Sequence, residues 1–444
     1  MKKTNLSIVL LSILTPFITS SSPLADPLTL RECTEQALRK NEGMLTAQAN
    51  LRSAKAGILG AWSAFLPHLS SNFGYTRSGW GPREELSFDP NTMSVITQYE
   101  SGATSNYSMN LYLSQSIYNG GYNLANLKYQ RANRRWYEEM LKFTKASLVW
   151  EVKQRYYDLL KAKRLLKVRE DAVKRSEEQV KKAENLHRLG SVTISDVLKA
   201  KVQLGRDKLA LIDTQNQLKQ ARSRLNQTLG LPLNSPLEVV DNLEEAGEDV
   251  DYEEMTASAL EDHPEIQMAK AGIDRAKGSL SMAKGGRLPK VSLSGGYSWQ
   301  DEKVSEVKNV FDRDYTWNIM GIVTLPLFDG LSTKANIREA QEGLISAQLN
   351  LRQTQRNVEL DIQQALLDLA KARESLEVTK ESLSAAGEDL RLAQEKYKLG
   401  SVTMLEVLDA QASYSSTKAS WVEALSAYRL AQAEIERALG LSLY

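Results

Sequence analysis

A chain of 444 residues, 42% hydrophobic and 25% charged, is long enough for about two to three domains. Its formal net charge of +1 provides no basic field and gives no reason to invoke a nucleic-acid partner. The lone Cys33 excludes an intrachain disulfide even in an oxidising compartment and reads as a small helix residue.

At the N-terminus Lys2 and Lys3 precede a mostly apolar run, Leu6 to Ile18, and a small-residue region ending near Ala25. The run is too short to cross a bilayer and has the length of a signal-peptide core, so residues 1–25 read as an export signal, the alternative being a short anchor left uncut. A helix is predicted over about 28–65 and ends before Pro67. Period-two alternation then predicts strands over about 67–80 and 105–118: Leu69, Phe73 and Tyr75 alternate with small polar residues, as do Met109, Leu111, Leu113 and Ile117. Gly79-Trp80-Gly81-Pro82 and Asp89-Pro90-Asn91 carry loop signals between them.

From Tyr122 to Arg188 there are 67 residues without proline or glycine, a helix on the order of 100 Å long at ~1.5 Å per residue. Its apolar residues recur at three- and four-residue spacing, and many stripe positions are alanine, which predicts an antiparallel hairpin of coiled-coil character. Leu189-Gly190-Ser191-Val192-Thr193 stops the helix at glycine, and Thr193 to Asp196 reads as a capping box for the return helix. The turn is expected to expose Leu189 and Val192. Residues 231–253 hold Pro232, Pro236 and a run of acids without a base, and read as an acidic linker or small side segment.

Residues 254–444 repeat this order. Leu399-Gly400-Ser401-Val402-Thr403 repeats the first turn at a shift of 210 positions, and Thr403 to Glu406 repeats the capping box. The earlier part matches at a shift of 222, with Leu66-Pro67 on Leu288-Pro289 and Tyr75 on Tyr297. The difference falls between Tyr75 and Tyr118, so one loop is expected to be longer in the first copy. The second copy predicts a helix over about 254–287, strands over about 289–300 and 314–328, and a matching helix from Ser332 to Lys398. Aromatics near the strand ends, including Tyr75, Trp80, Trp299 and Trp317, suit the girdles of a lipid-facing barrel. A soluble sheet with one wet face has the same alternation. If the four strands span lipid, one chain cannot close a barrel, and two copies would supply eight strands or three would supply twelve. The three histidines, His68, His187 and His263, are scattered without metal-ligand spacing, and there is no phosphate loop or nucleophile elbow, so no cofactor, metal or catalytic site is expected.

Arg188-Leu-Gly-Ser-Val-Thr-Ile-Ser-Asp-Val-Leu198, Lys398-Leu-Gly-Ser-Val-Thr-Met-Leu-Glu-Val-Leu-Asp-Ala410 and Leu28-Thr-Leu-Arg-Glu-Cys-Thr-Glu-Gln-Ala-Leu38 resemble the TolC-like family of outer-membrane efflux and secretion channels. The resemblance covers essentially all of the chain after residue 25. It implies a mainly α subunit with a small β part, assembling as a homotrimer into a duct with a 12-stranded β-barrel in outer-membrane lipid and a 12-helix α-barrel in the periplasm. It implies a passive exit channel for efflux or type I secretion rather than an enzyme, opened at its tip by a periplasmic adaptor (membrane fusion) protein and an inner-membrane pump. By position, Leu189, Gly190, Ser191, Leu399, Gly400 and Ser401 would contact the adaptor. Asp196, Tyr397, Glu406 and Asp409 would form the gate. Val402 stands where some members carry a link-forming arginine, and Lys199 occupies the repeat position of Asp409. The rival reading is a periplasmic coiled-coil scaffold or adaptor without a pore, which would not need four uncharged alternating strands.

Overall fold

The computed structural model describes residues 27–90, 93–244 and 260–440. The export signal read from residues 1–25 lies outside them, as do residues 245–253 of the acidic segment and 254–259 of the second-copy helix. The elements are α1 (Leu30–Lys40), α2 (Glu42–Ser63), β1 (His68–Asp89), β2 (Ser94–Asn119), α3 (Tyr122–Arg188), α4 (Ile194–Thr228), α5 (Pro264–Gly285), β3 (Lys290–Asp301), a 3-10 turn (Val304–Asn309), β4 (Tyr315–Thr324), α6 (Ser332–Lys398) and α7 (Met404–Ala438). The repeat shows in the lengths: α3 and α6 have 67 residues each, α4 and α7 have 35, and α2 and α5 have 22. No described helix is long and apolar enough to cross a membrane.

The chain divides into two compact units. The first holds residues up to Ala37, Val152–Ala246 and Thr379–Ser426. The described part of the acidic segment is more than a solvated linker here. Val239 makes a parallel bridge to Leu28, and Leu237, Val239 and Leu243 are buried. The Tyr156 hydroxyl donates to the Val240 carbonyl at 2.6 Å, and Arg164 donates to Asp241 at 2.9 and 3.0 Å and to Glu244 at 2.6 Å. Asp241 and Glu244 are therefore held by the Arg164 guanidinium of α3, which offsets the repulsion between them.

The second unit holds Leu38–Glu151, Gly247–Val378 and Ala427–Tyr444. Its sheet is antiparallel in the order β1-β2-β3-β4, so β1 and β4 are its edges. Alternation places Leu69, Phe73, Met109, Leu113, Tyr297, Trp317 and Ile319 on one face through direct pairs such as Phe73 with Met109 and Tyr297 with Trp317. Most of that face is exposed in a single chain.

Three strand boundaries differ from the sequence reading. β1 and β2 run on through the expected loop and turn only near Pro90. The extra residues of the first copy lengthen a hairpin that outruns β3, whose pairing with β2 stops at Tyr107. Pro82 survives inside β1 because the register shifts between Trp80 and Arg83 and because β1 is an edge strand, where a missing N–H costs no ladder bond. β4 stops at Thr324 rather than 328, two residues before Pro326, which leaves Leu327 and Phe328 exposed. The first helix is also broken in two, because the Asn41 side chain accepts from the N–H groups of Gly43 and Met44 and starts α2 anew.

The helix-to-strand junctions are fixed by close backbone contact. Gln115 donates to the Phe65 carbonyl at 3.1 Å, and Asn123 donates to the Ala64 carbonyl at 3.0 Å. A Cβ on Gly120, where φ is +68°, would stand 2.2 Å from the Gly285 carbonyl oxygen. Its repeat partner Gly330 has φ +65° but nothing within 4 Å. Gly120→Ala is therefore expected to cost ~3 kcal/mol or more, against about 1–2 kcal/mol for Gly330→Ala from backbone strain alone. Thermal unfolding of the two purified variants checks the difference.

The helical core of this unit gathers Ile266 of α5, Val358, Ile362 and Ala365 of α6, and Ile435, Ala438 and Leu439 at the end of α7. Beside it the buried His263 caps α5, its Nδ1 accepting from the Glu265 N–H at 3.3 Å. Burial first, then the Arg437 guanidinium, hold the ring below the ordinary histidine value, against the opposing pulls of a backbone bond to Ala438 and the Asp361 carboxylate. A ring kept neutral by the fold binds its proton more readily when unfolded. The capped helix is then fully stable above about pH 6.5 and loses stability as the pH falls below it. Amide exchange in the first turn of α5 should accelerate over that window, and His263→Asn, which keeps a capping acceptor, should remove the acceleration.

Candidate functional site: the helix-turn tips

The two glycine turns of the first unit are built alike. Gly190 has φ +77° and Gly400 has φ +75°, left-handed conformations that close the ends of α3 and α6. Ser191 N–H donates to the Leu186 carbonyl at 2.9 Å and Gly190 N–H to His187 at 2.9 Å. The equivalent bonds run from Ser401 to Lys396 at 3.0 Å and from Gly400 to Tyr397 at 3.1 Å. Each is a Schellman closure, so the last carbonyls of the long helices are satisfied within the turn.

The return helices start on capping boxes. Asp196 accepts from Thr193 N–H at 3.1 Å and from its hydroxyl at 2.9 Å, and Asp196 N–H donates back at 3.4 Å. Glu406 and Thr403 repeat the arrangement at 3.4 Å throughout. Leu189 and Leu399 are 78% and 83% exposed, with Gly190, Ser191, Gly400 and Ser401 beside them at the surface. Val192 and Val402, expected to be exposed with the leucines, are half-buried. They follow the glycine as the chain turns back, and the Val192 carbonyl is held 3.0 Å from the His187 ring.

Beneath the turns the two hairpins share a core of Val180 and Ala183 from α3, Val197 and Ala200 from α4, and Met404 and Leu408 from α7. Tyr397 of α6 packs against it. The Lys182 ammonium lies 4.7 Å from the Tyr397 ring centre, and the Tyr397 hydroxyl is buried without a hydrogen-bond partner. Burial, with the Asp196 carboxylate as second cause, pushes the Tyr397 hydroxyl above its ordinary value. Burial and then the Lys398 ammonium pull Lys182 below its own. The structure thus brings Asp196 and Tyr397 within electrostatic reach inside one subunit. Glu406 and Asp409 are exposed three residues apart on α7, hence on one face. Lys182 was not legible as a tip residue, because its partner lies on a helix more than 200 residues away and nothing in local spacing links them. Among the described residues no group of His, Cys, Asp and Glu is suited to hold a metal ion.

Comparison with known proteins gives the family. The family model described as outer membrane efflux protein matches residues 33–231 and 256–441. The chain belongs to the outer membrane efflux protein family. Outer membrane protein TolC of Vibrio cholerae is 24% identical over 330 residues, which are 72% of this chain and 70% of that protein. The probable outer membrane lipoprotein SilC of Salmonella typhimurium is 22% identical, covering 91% of this chain and 84% of its own. In fold the chain is similar to the Campylobacter jejuni CmeC outer membrane channel, with a TM-score of 0.80 at 19% identity over 93% of this chain and 85% of that one.

This outer membrane efflux protein is therefore a subunit of an exit duct for efflux or secretion, located in the outer membrane with its helical part in the periplasm. The family is one of channels rather than enzymes, and the pore-less scaffold reading falls with it.

The capping geometry gives Asp196 a structural task that a gate residue would share. Asp196→Ala should cost about 1 kcal/mol of local stability, read as faster amide exchange in the first turn of α4. Asp196→Asn retains a capping acceptor and removes the charge. Tip conductance that changes with Asn as much as with Ala would assign the carboxylate's charge, and not its cap, to the gate.

Proposed function

We propose that three copies assemble into one barrel whose twelve strands cross the outer membrane, and that the glycine-turn tips form a periplasmic mouth opened by an adaptor protein coupled to an inner-membrane pump. The observation that carries this reading is the four-stranded sheet with an exposed apolar face and two open edges, β1 and β4. Lipid offers no partner for unpaired backbone groups, so the β4 edge of one copy must find the β1 edge of the next. Four strands fall short of the roughly eight needed for closure, and three copies match the trimer that the family resemblance implies.

At the mouth, Leu189-Gly190-Ser191 and Leu399-Gly400-Ser401 are the surface offered to the adaptor. Exposed leucines on turns locked by local hydrogen bonds cost solubility unless a partner covers them. Glu406 and Asp409 from three copies would line the entrance with six carboxylates, a field that attracts cations and disfavours anions. Tyr397 brings a buried hydroxyl without an acceptor in the single chain, a group suited to link neighbouring tips when closed. Transport through such a duct is passive, and the energy comes from the pump.

Two measurements test the reading. Mass determination in detergent should give a trimer, and a stable monomer in aqueous buffer would overturn the shared barrel. In single-channel recordings, replacing Glu406 and Asp409 together with Ala should weaken block by divalent cations by about tenfold or more, as expected when ~1.4 kcal/mol of attraction is lost. Unchanged block would remove the two carboxylates from the gate.

A further inference from the structure

The connection between β3 and β4 does not extend away from the sheet. It folds back onto the apolar face of the strands. Val310 is 5% exposed and packs with Met109 and Trp299, which pair directly across β2 and β3. The Tyr297 hydroxyl donates to the Val310 carbonyl at 2.5 Å. Phe311 stands 5.6 Å from the Tyr297 ring, and Tyr315 stacks on the same ring at 5.3 Å. Arg313 pairs with Glu306, and Asn309 donates to Glu306 at 2.7 Å, so the loop is closed on itself as well as onto the sheet.

The six-residue 3-10 turn, Val304–Asn309, has three residues per turn, so Val304, Val307 and Val310 stand in one line. The innermost valine is buried while Val307 is 40% and Val304 63% exposed. Phe311 is exposed beside them. The remaining positions are polar: Lys303, Ser305, Glu306, Lys308 and Asn309. The result is a short amphipathic cap, seated on the aromatic end of the face that must meet hydrocarbon, with charged residues around it.

We propose that this loop is a membrane-interface anchor: Val304, Val307 and Phe311 insert into the headgroup-acyl boundary of the outer leaflet, around the rim of the barrel. The inference rests on the reading that β1–β4 span the outer membrane. Continuity carries it. Val310 and Phe311 join the apolar face through Met109, Trp299 and Tyr297, Val307 and Val304 carry the valine line outward from it, and the membrane interface is where aromatic rings such as these partition. A water-exposed loop would gain nothing from aligning three valines. The first-copy hairpin is different, since β1 and β2 continue past β3 as a ladder and carry no such cap.

Depth-resolved quenching in reconstituted vesicles tests this. Single-cysteine variants Val307→Cys, Ile319→Cys and Leu86→Cys are labelled with an environment-sensitive fluorophore. Burial pushes the native Cys33 thiol up to about 12, so it stays unreactive at neutral pH and the unsubstituted protein serves as the blank. The vesicles are phosphatidylcholine carrying a nitroxide either at the headgroup or deep in the acyl chain. The label at 307 is expected to show blue-shifted emission quenched more by the headgroup nitroxide. The label at 319, in mid-strand on the same face, should be quenched more by the deep one, and the label at 86 by neither.

Lipid quenching at 319 with a water-like spectrum at 307 would overturn the anchor while leaving the spanning strands intact. A blue shift at 307 without quenching by either lipid would also overturn it, since the loop would then be covered by a neighbouring copy. Absence of deep quenching at 319 would remove the spanning strands themselves, and the anchor with them. A second variant, Val304→Ser with Val307→Ser, keeps the docked Val310 and should leave conductance unchanged while weakening headgroup quenching of a label at Phe311→Cys.

Discussion

Along β1 and along β4 a single chain ends in a row of backbone donors and acceptors with no strand beside them. In water such edges would be blunted by charge, proline or a covering helix. Here β4 offers Tyr-Thr-Trp-Asn-Ile-Met-Gly-Ile-Val-Thr, without one charged residue, and its face is exposed throughout. The same sheet is too apolar to be wet and too open to be dry. Satisfying those edges is the demand from which the proposed assembly and membrane setting follow, because closure by copies of the same chain would meet it without adding a new element.

The repeat shows how one chain meets the demand twice. Each copy needs a helix that enters the sheet, a strand pair, a helix that leaves, and a return. The matched lengths of 67, 35 and 22 residues keep the two copies in step along their helices. They diverge where the constraint is local. Gly120 is pressed against the Gly285 carbonyl, while Gly330 faces open space in the single chain. The first-copy strands grow into a long hairpin, while the second-copy connection folds down as a 3-10 cap.

Much of this was legible in the residues, for physical reasons. A glycine followed by a Ser/Thr-x-x-acid box can only end one helix and start another, so the tips were fixed by chain-local chemistry. Proline-free runs of 67 residues announced the long helices. What misled was the meaning of proline. Pro82 reads as a breaker, yet an edge strand with a bulge accepts it, whereas Pro326 did end its strand and was overrun by the alternation of Val323, Leu325 and Leu327. The half-burial of Val192 and Val402 depended on how tightly the turn folds back, and the Lys182–Tyr397 contact on packing between hairpins. Neither is encoded by spacing along one helix.

The tips also constrain how the proposed mouth could move. The backbone bonds and capping boxes that shape the two turns join residues at most five apart, so each turn is closed by its own segment of chain. What joins one hairpin to the other is of a different kind: Val180 and Ala183 packed with Met404 and Leu408, Lys182 over the Tyr397 ring, and side-chain hydrogen bonds from Arg175 to Ser415 at 3.2 Å, from Gln179 to the Met404 thioether at 2.6 Å and from Gln411 to Ser176 at 3.3 Å. The apolar part of this seam is non-directional and methionine adapts its rotamers, whereas the side-chain hydrogen bonds are directional and fix the register of α7 on α3. Unwinding a turn would break several backbone bonds at once, while shifting one hairpin along the other would leave the turns intact and break the side-chain bonds of the seam, whose polar groups water can satisfy in turn. In the proposed mouth, an opening that keeps both turns folded would therefore work against this seam, and the buried, unpartnered Tyr397 hydroxyl sits on it.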